Sequence, residues 1–206
     1  MLRSIPFDVL PETSKTQYLF EKGRALASLG KYAHAEQCYS HALLQIQQAP
    51  RANLQHKALV LAGLAASLID QQKTYMAAHH LCAATQLTRS LTASVVEIVM
   101  RTIARYFLAI GNKQRHAQAL RTVLEIVQSD ERDPVRRGIV LIEVRLAEKD
   151  IGECTVDLEF ARAIKTVRAS GRYGRDLRDA SIVLGAGIKP TRRLRGKTHP
   201  EDILLR

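Results

Sequence analysis

Apolar residues recur along this chain at i, i+3, i+4 and i+7 spacings, broken at regular intervals by residues that stop a helix. An aliphatic residue followed by a helix-stopping residue occurs at Leu29-Gly30, Ile69-Asp70, Ile110-Gly111 and Ile151-Gly152, which stand 40, 41 and 41 positions apart. A fixed period in the range of roughly 20–50 residues is the sequence signature of stacked repeats. No stretch sustains the strict alternation of a half-buried strand, so the pattern predicts helices throughout.

Local signals set the expected boundaries. Pro6 and Pro11 block helix in residues 1–12, which read as an irregular leader. Thr13 and Ser14 are candidate caps for a first helix that runs to Leu29 and is stopped by Gly30. A second helix is expected from Tyr32 to Gln48 and a third from Asn53 to Ile69. A fourth spans Tyr75–Ser90, a fifth Ala93–Ile110 and a sixth Gln114–Gln128. Asp133-Pro134 supplies an N-cap and a first-turn proline for a seventh ending near Lys149. Thr155 is the expected cap of an eighth, which ends near Gly171. In that helix Val156, Phe160, Ala163, Ile164 and Val167 form one apolar stripe. The expectation is an all-α, right-handed solenoid of about four antiparallel helix pairs over residues 13–171. No single pair buries its own stripe, so neighbours must stack.

Composition changes after residue 171. The segment from 172 to 206 reads as a basic extension, with a short capping helix at Arg175–Leu184 and then an extended tail. Most of the net charge of +11 lies between Ala161 and Arg206. Ala161 to Arg206 holds 12 Lys and Arg against 4 Asp and Glu, whereas the other 160 residues hold 19 against 16. The chain is therefore a near-neutral body with a basic end.

The first repeat, through Gly23, Leu26, Gly30, Tyr32, Ala35, Tyr39, Ala42 and Leu43, resembles a tetratricopeptide repeat. Gly23 and Ala35 match the family's close-approach positions, and Leu26, Tyr32 and Tyr39 its space-filling ones. The second unit keeps Gly63, Tyr75 and Ala78, and the third Ala104, Gly111 and Ala117. The fourth keeps Ile151-Gly152, with Arg145 where a small residue is expected. The likeness covers about residues 13–170 and weakens along the chain. Its period departs from the family's usual 34 residues, as in extended members.

The resemblance implies a concave face lined by the first helix of each pair. It places Arg24, Arg101 and Arg105 there as a candidate groove for an acidic or C-terminal peptide. The bland alternative is a set of arginines pairing with nearby Glu97 or Glu125. The family's chaperone-binding members carry paired asparagines and lysines in the groove. Arg24, Val60 and Leu64 stand at the comparable places here, so that activity is not supported. A second candidate surface is a basic ridge of Arg162, Lys165, Arg168, Arg172 and Arg175, extended by Arg192, Arg193, Arg195 and Lys197. Such a ridge suits an acidic protein partner or a phosphate backbone. Tyr173 is its single aromatic, which gives little for base stacking.

Chemistry is hard to place. His79 and His80 are adjacent, so on a helix they point about 100° apart. His34 and His41 are seven residues apart, and His116 and His199 are isolated. None of these is a recognised metal-ligand spacing. Cys38 and Cys82 read as small buried hydrophobes. Cys154 lies in an expected turn beside Glu153, an anion that does not activate a thiol. Gly185-Ala186-Gly187 lacks the lysine and the preceding strand of a phosphate loop. No metal, cofactor or enzymatic activity is expected. No apolar run reaches the roughly 18 residues of a membrane span. Three cysteines without C-x-x-C spacing point to a reducing compartment, cytoplasm or nucleus first and mitochondrial matrix as the alternative. The function expected is a non-enzymatic adaptor, scaffold or chaperone-like subunit that binds a protein. The alternative is a structural RNA-associated subunit of a ribonucleoprotein particle.

Overall fold

The computed structural model describes residues 11–49, 53–128 and 133–171. Among them the chain is all-α. The helices are α1 (Glu12–Ser28), α2 (Tyr32–Gln48), α3 (Leu54–Asp70), α4 (Thr74–Leu87), α5 (Ala93–Ala109), α6 (Lys113–Gln128), α7 (Pro134–Lys149) and α8 (Leu158–Ala169). A short 3₁₀ turn, Thr88–Ser90, follows α4. Most of the expected leader, and the capping helix and tail of 172–206, lie outside the described residues.

One backbone device ends four of these helices. Gly30 has φ +73° and its N–H bonds Ala27 O at 3.0 Å, while Lys31 N–H bonds Leu26 O at 2.9 Å. The same pair of bonds recurs at Gln72 and Lys73 to Ile69 O and Leu68 O, both 2.9 Å. It recurs at Gly111 and Asn112 to Leu108 O and Phe107 O, at 3.0 and 2.8 Å. It recurs again at Gly152 and Glu153 to Lys149 O and Glu148 O, at 3.0 and 2.8 Å. Each is a Schellman turn, in which a left-handed residue lets two N–H groups satisfy carbonyls of the last turn. The left-handed residues that carry both bonds are Gly30, Gln72, Gly111 and Gly152, so the true steps between them are 42, 39 and 41; a fifth, Gly171 at φ +72°, closes α8 with its N–H bonded to Arg168 O at 3.1 Å. The second stop is therefore not Asp70, as the sequence suggested. Asp70 stays helical as the last residue of α3, and Gln72 takes φ +63° two residues later.

Two expected caps also differ. α1 begins at Glu12 with Pro11 at its N-cap, so Thr13 and Ser14 fall inside the helix rather than at the cap position. α8 is capped by Asp157, whose carboxylate accepts from Phe160 N–H at 2.8 Å, two residues past Thr155. Asn53 and Asp133 cap α3 and α7 by accepting from His56 N–H (3.2 Å) and Arg136 N–H (2.8 Å).

The chain divides into two compact units, one ending at Asn112 and one beginning at Lys113. In the first, α3 is apolar on nearly every side, with nine buried residues, which is the pattern of a central helix. It packs against α1, α2, α4 and α5. Tyr39 of α2 fills the space between α1 and α3. A Cβ added at Gly23 or at Gly63 would sit 2.8 Å from its Cε1. Only glycine lets both backbones come this close to one ring. Side chains tie the layers further. Glu36 of α2 accepts from Gln71 (2.8 Å) and Lys73 (2.9 Å) in the second turn. Gln55 of α3 accepts from the Thr92 N–H and hydroxyl, both at 3.1 Å, ahead of α5.

In the second unit α7 packs against α6 and α8. Its core gathers Leu141 and Ile142 with Phe160, Ile164 and Val167, so the apolar stripe read on the eighth helix is the buried one. Gly138 again marks a close crossing. A Cβ there would lie 3.1 Å from Val167 Cγ2 and 3.3 Å from Ala163 O.

Candidate partner-binding surfaces

The three groove arginines fall on two helices, and each has a carboxylate beside it. Arg24 on α1 pairs with Glu21 at 2.7 Å, with its side chain 71% exposed. Arg105 on α5 pairs with Asp70 at 2.7 Å and is half exposed. Arg101, one turn earlier, donates from Nε to Glu97 at 3.0 Å, and Glu97 is buried. The structure thus brings Arg101 and Arg105 together on one face, while Arg24 stands on another helix. It also finds the pairing with Glu97 that the bland alternative foresaw. Exposed pairs are worth about 0–1 kcal/mol, so Arg24 and Arg105 can exchange their carboxylates for an incoming one. Arg101 is held by a carboxylate that is itself buried, so it is less free to leave. Sequence reasoning missed the apolar members of this face. Ile98 and Leu108, both about half exposed, flank the two arginines at i−3 and i+3, a spacing that was legible in the sequence.

On α8 the ridge is only partly displayed. Arg162 is exposed, and Lys165 and Arg168 are half-buried. Steps of three residues drift around a helix, so these three sweep about 120° rather than forming one line. Arg172, Arg175, Arg192, Arg193, Arg195 and Lys197 lie outside the described residues. Arg162 opens onto a cleft of about 500 Å³ between the first two turns of α7 and the stretch of α8 from Glu159 to Thr166. Pro134, Arg137, Gly138 and Leu141 form one wall, and Glu159, Arg162, Ala163 and Thr166 the other.

An ionic network centred on the buried Glu148 occupies the other end of α7. Arg145 donates to Glu148 (2.8 Å) and to the α8 cap Asp157 (2.7 Å). Arg121 of α6 donates to Glu148 (2.9 Å) and Glu153 (2.7 Å). Burial works against the charge on Arg145. Its bond to Glu148 and the charges of Asp157 and Glu148 outweigh burial and leave its pKa above the ordinary value. Bonds to Glu153 and Glu148 raise that of Arg121. Counted back from the left-handed turn residue, Arg145 stands where Gly23, Ala65 and Ala104 stand in the other three turns. Glu148 stands where Leu26, Leu68 and Phe107 do. A small-plus-large apolar pair has been replaced by two opposite charges that pair with each other, with Asp157 and Arg121 as their further partners. This accounts for the departure at Arg145.

Cys38 is buried as expected, but Cys82 is exposed, because α4 turns Leu81 and Ala84 inward instead. Cys154 is half-buried, and burial pushes its thiol pKa up against the pull of Arg145. Burial, helped by the charge of His79, pushes the His80 pKa down. Among the described residues no group of three or more His, Cys, Asp or Glu side chains could hold a metal ion, and no helix is long and apolar enough to cross a membrane. Comparison with protein-family models finds no match, and comparison with curated proteins finds none either.

Proposed function

We propose that the chain is a tetratricopeptide-like helical repeat, a right-handed solenoid of four antiparallel helix pairs with a basic C-terminal extension. Its function is non-enzymatic. It serves as an adaptor or scaffold subunit that holds a protein partner with acidic surface chemistry. The observation that carries this reading is the fourfold recurrence of one Schellman turn, coupled to the Gly23–Tyr39–Gly63 contact. A repeated turn with small-to-large interlocking is how stacked helix pairs create a long binding surface. Arg24 and Arg105, with Ile98 and Leu108 beside the latter, are the groove residues able to trade their present contacts for a partner's. Arg162 and Lys165 begin the second, basic surface. Three free cysteines fit a reducing compartment.

The test is affinity capture of the full chain from cell extract, split and run with and without nuclease. Protein partners that survive nuclease are expected. Partners that vanish with nuclease, with capture falling steeply as salt rises, would overturn this reading in favour of an RNA-associated subunit.

A further inference from the structure

The cleft between the first two turns of α7 and the length of α8 from Glu159 to Thr166 has the composition of a recognition site. Its two guanidiniums, on Arg137 and Arg162, come from opposite walls, and neither makes a hydrogen bond or ion pair with any described residue. Every arginine of the candidate groove, and both of the ionic network, has a carboxylate within 3.0 Å. Arg137 and Arg162 instead stand uncompensated beside a concavity of about 500 Å³. The third charge is Glu159, which is paired with neither arginine, so the cleft carries a net +1. Pro134, Leu141 and Ala163 give it an aliphatic floor, and Thr166 adds a hydroxyl.

We infer that this cleft binds an acidic peptide segment of a protein partner, with one carboxylate bridged by Arg137 and Arg162 and an adjacent aliphatic side chain seated on Pro134, Leu141 and Ala163. The guanidinium fork matches a planar carboxylate in two-point contact. The volume lies within the range of small ligand clefts, which suits two or three side chains rather than a folded surface. The lining holds no aromatic ring on which a nucleobase could stack. The inference rests on the protein-partner reading above and names the chemistry of that partner.

Fluorescence anisotropy with the full chain tests it. The probe is a labelled peptide of alternating Glu and Leu. Its comparators are the Gln and Leu counterpart and a single-stranded RNA of similar length. Arg137→Glu and Arg162→Glu are each expected to weaken the Glu–Leu peptide roughly tenfold or more, as loss of a charge-assisted bond should. Lys149→Glu makes the same charge change about 18 Å away along α7 and is expected to leave affinity within twofold. Arg137→Lys and Arg162→Lys keep the charge but lose the fork. They should weaken binding severalfold, and they serve if a charge reversal lowers helix content. Equal loss from all three reversals would reduce the cleft to general electrostatics. No binding of the Glu–Leu peptide, binding equal to that of the Gln–Leu peptide, or a preference for RNA would overturn the inference. Nuclease-resistant capture that persists in the Arg137→Glu/Arg162→Glu chain would sink the cleft while leaving the adaptor reading intact.

Discussion

Replacing Gly23 with alanine puts a methyl carbon 2.8 Å from Tyr39 Cε1 and 3.0 Å from its Cζ, well inside van der Waals contact. The ring has little room to yield. Tyr39 is 3% exposed, and the same edge is crowded from α3, where Gly63 stands in the same relation to Cε1. Overpacking of a filled core costs about 1–3 kcal/mol. Alanine returns roughly 1 kcal/mol of helix propensity relative to glycine. The net expectation is a destabilisation of about 0–2 kcal/mol, read as a lower urea midpoint by far-UV circular dichroism. At this chain length each kcal/mol also lowers Tm by about 2–4 °C. A double-mutant cycle isolates the cause. In a Tyr39→Ala background the clash is gone, and Gly23→Ala should become stabilising by about 1 kcal/mol. If Gly23→Ala raises the midpoint of the otherwise native chain, α1 does not press on Tyr39 as described.

Three further outcomes are expected. Gln72→Gly relieves a left-handed conformation that costs a side-chain-bearing residue roughly 1–2 kcal/mol, and should raise the denaturation midpoint, whereas Gly111→Ala should lower it by a similar amount. Glu148→Ala leaves Arg145 and Arg121 without their shared carboxylate and should cost roughly 3 kcal/mol in a urea titration. The double change Arg145→Ala/Glu148→Leu restores the small-plus-large pair of the other turns and should be near neutral or stabilising. Burial pushes the Tyr39 hydroxyl pKa up to about 12. The unfolded chain ionises near pH 10 while the folded chain keeps its proton. Stability from this group is therefore complete below pH 10 and falls as pH rises toward 12, by on the order of 2 kcal/mol. Tyr39→Phe should remove that part of the slope in unfolding curves measured across this range.

What the sequence made legible followed from local chemistry. Gly30, Gly111 and Gly152 announce left-handed helix ends because few other residues adopt that backbone cheaply. Gln72 carries no such mark, and the motif there is set by its two carbonyl contacts, so periodicity drew the eye to Asp70 instead. Gly23 and Tyr39 were readable as a close-approach and space-filling pair. Arg145 was visible as an anomaly, but its resolution was not, because its partners Asp157 and Glu148 lie on different elements or look like ordinary helix-surface acids. Aligned on Gly152, however, Glu148 occupies an apolar position, and that signal was available. Cys82 was misplaced because a helix stripe one residue out of phase sends the same side chain to solvent. The cleft was invisible for a different reason. Arg137 was not singled out at all, and only the packing of α7 on α8 brings it opposite Arg162.

The central structural claim is that one helix–turn device is used four times at steps of 42, 39 and 41 residues. Backbone chemical shifts and three-bond amide–α-proton couplings, measured by NMR on the labelled full chain, test it directly. The account predicts left-handed values at Gly30, Gln72, Gly111 and Gly152, each closing a helix, with φ near +63° at the one non-glycine among them. A right-handed or extended Gln72, with the helix break displaced to Asp70, would contradict it and dissolve the common register of the repeats.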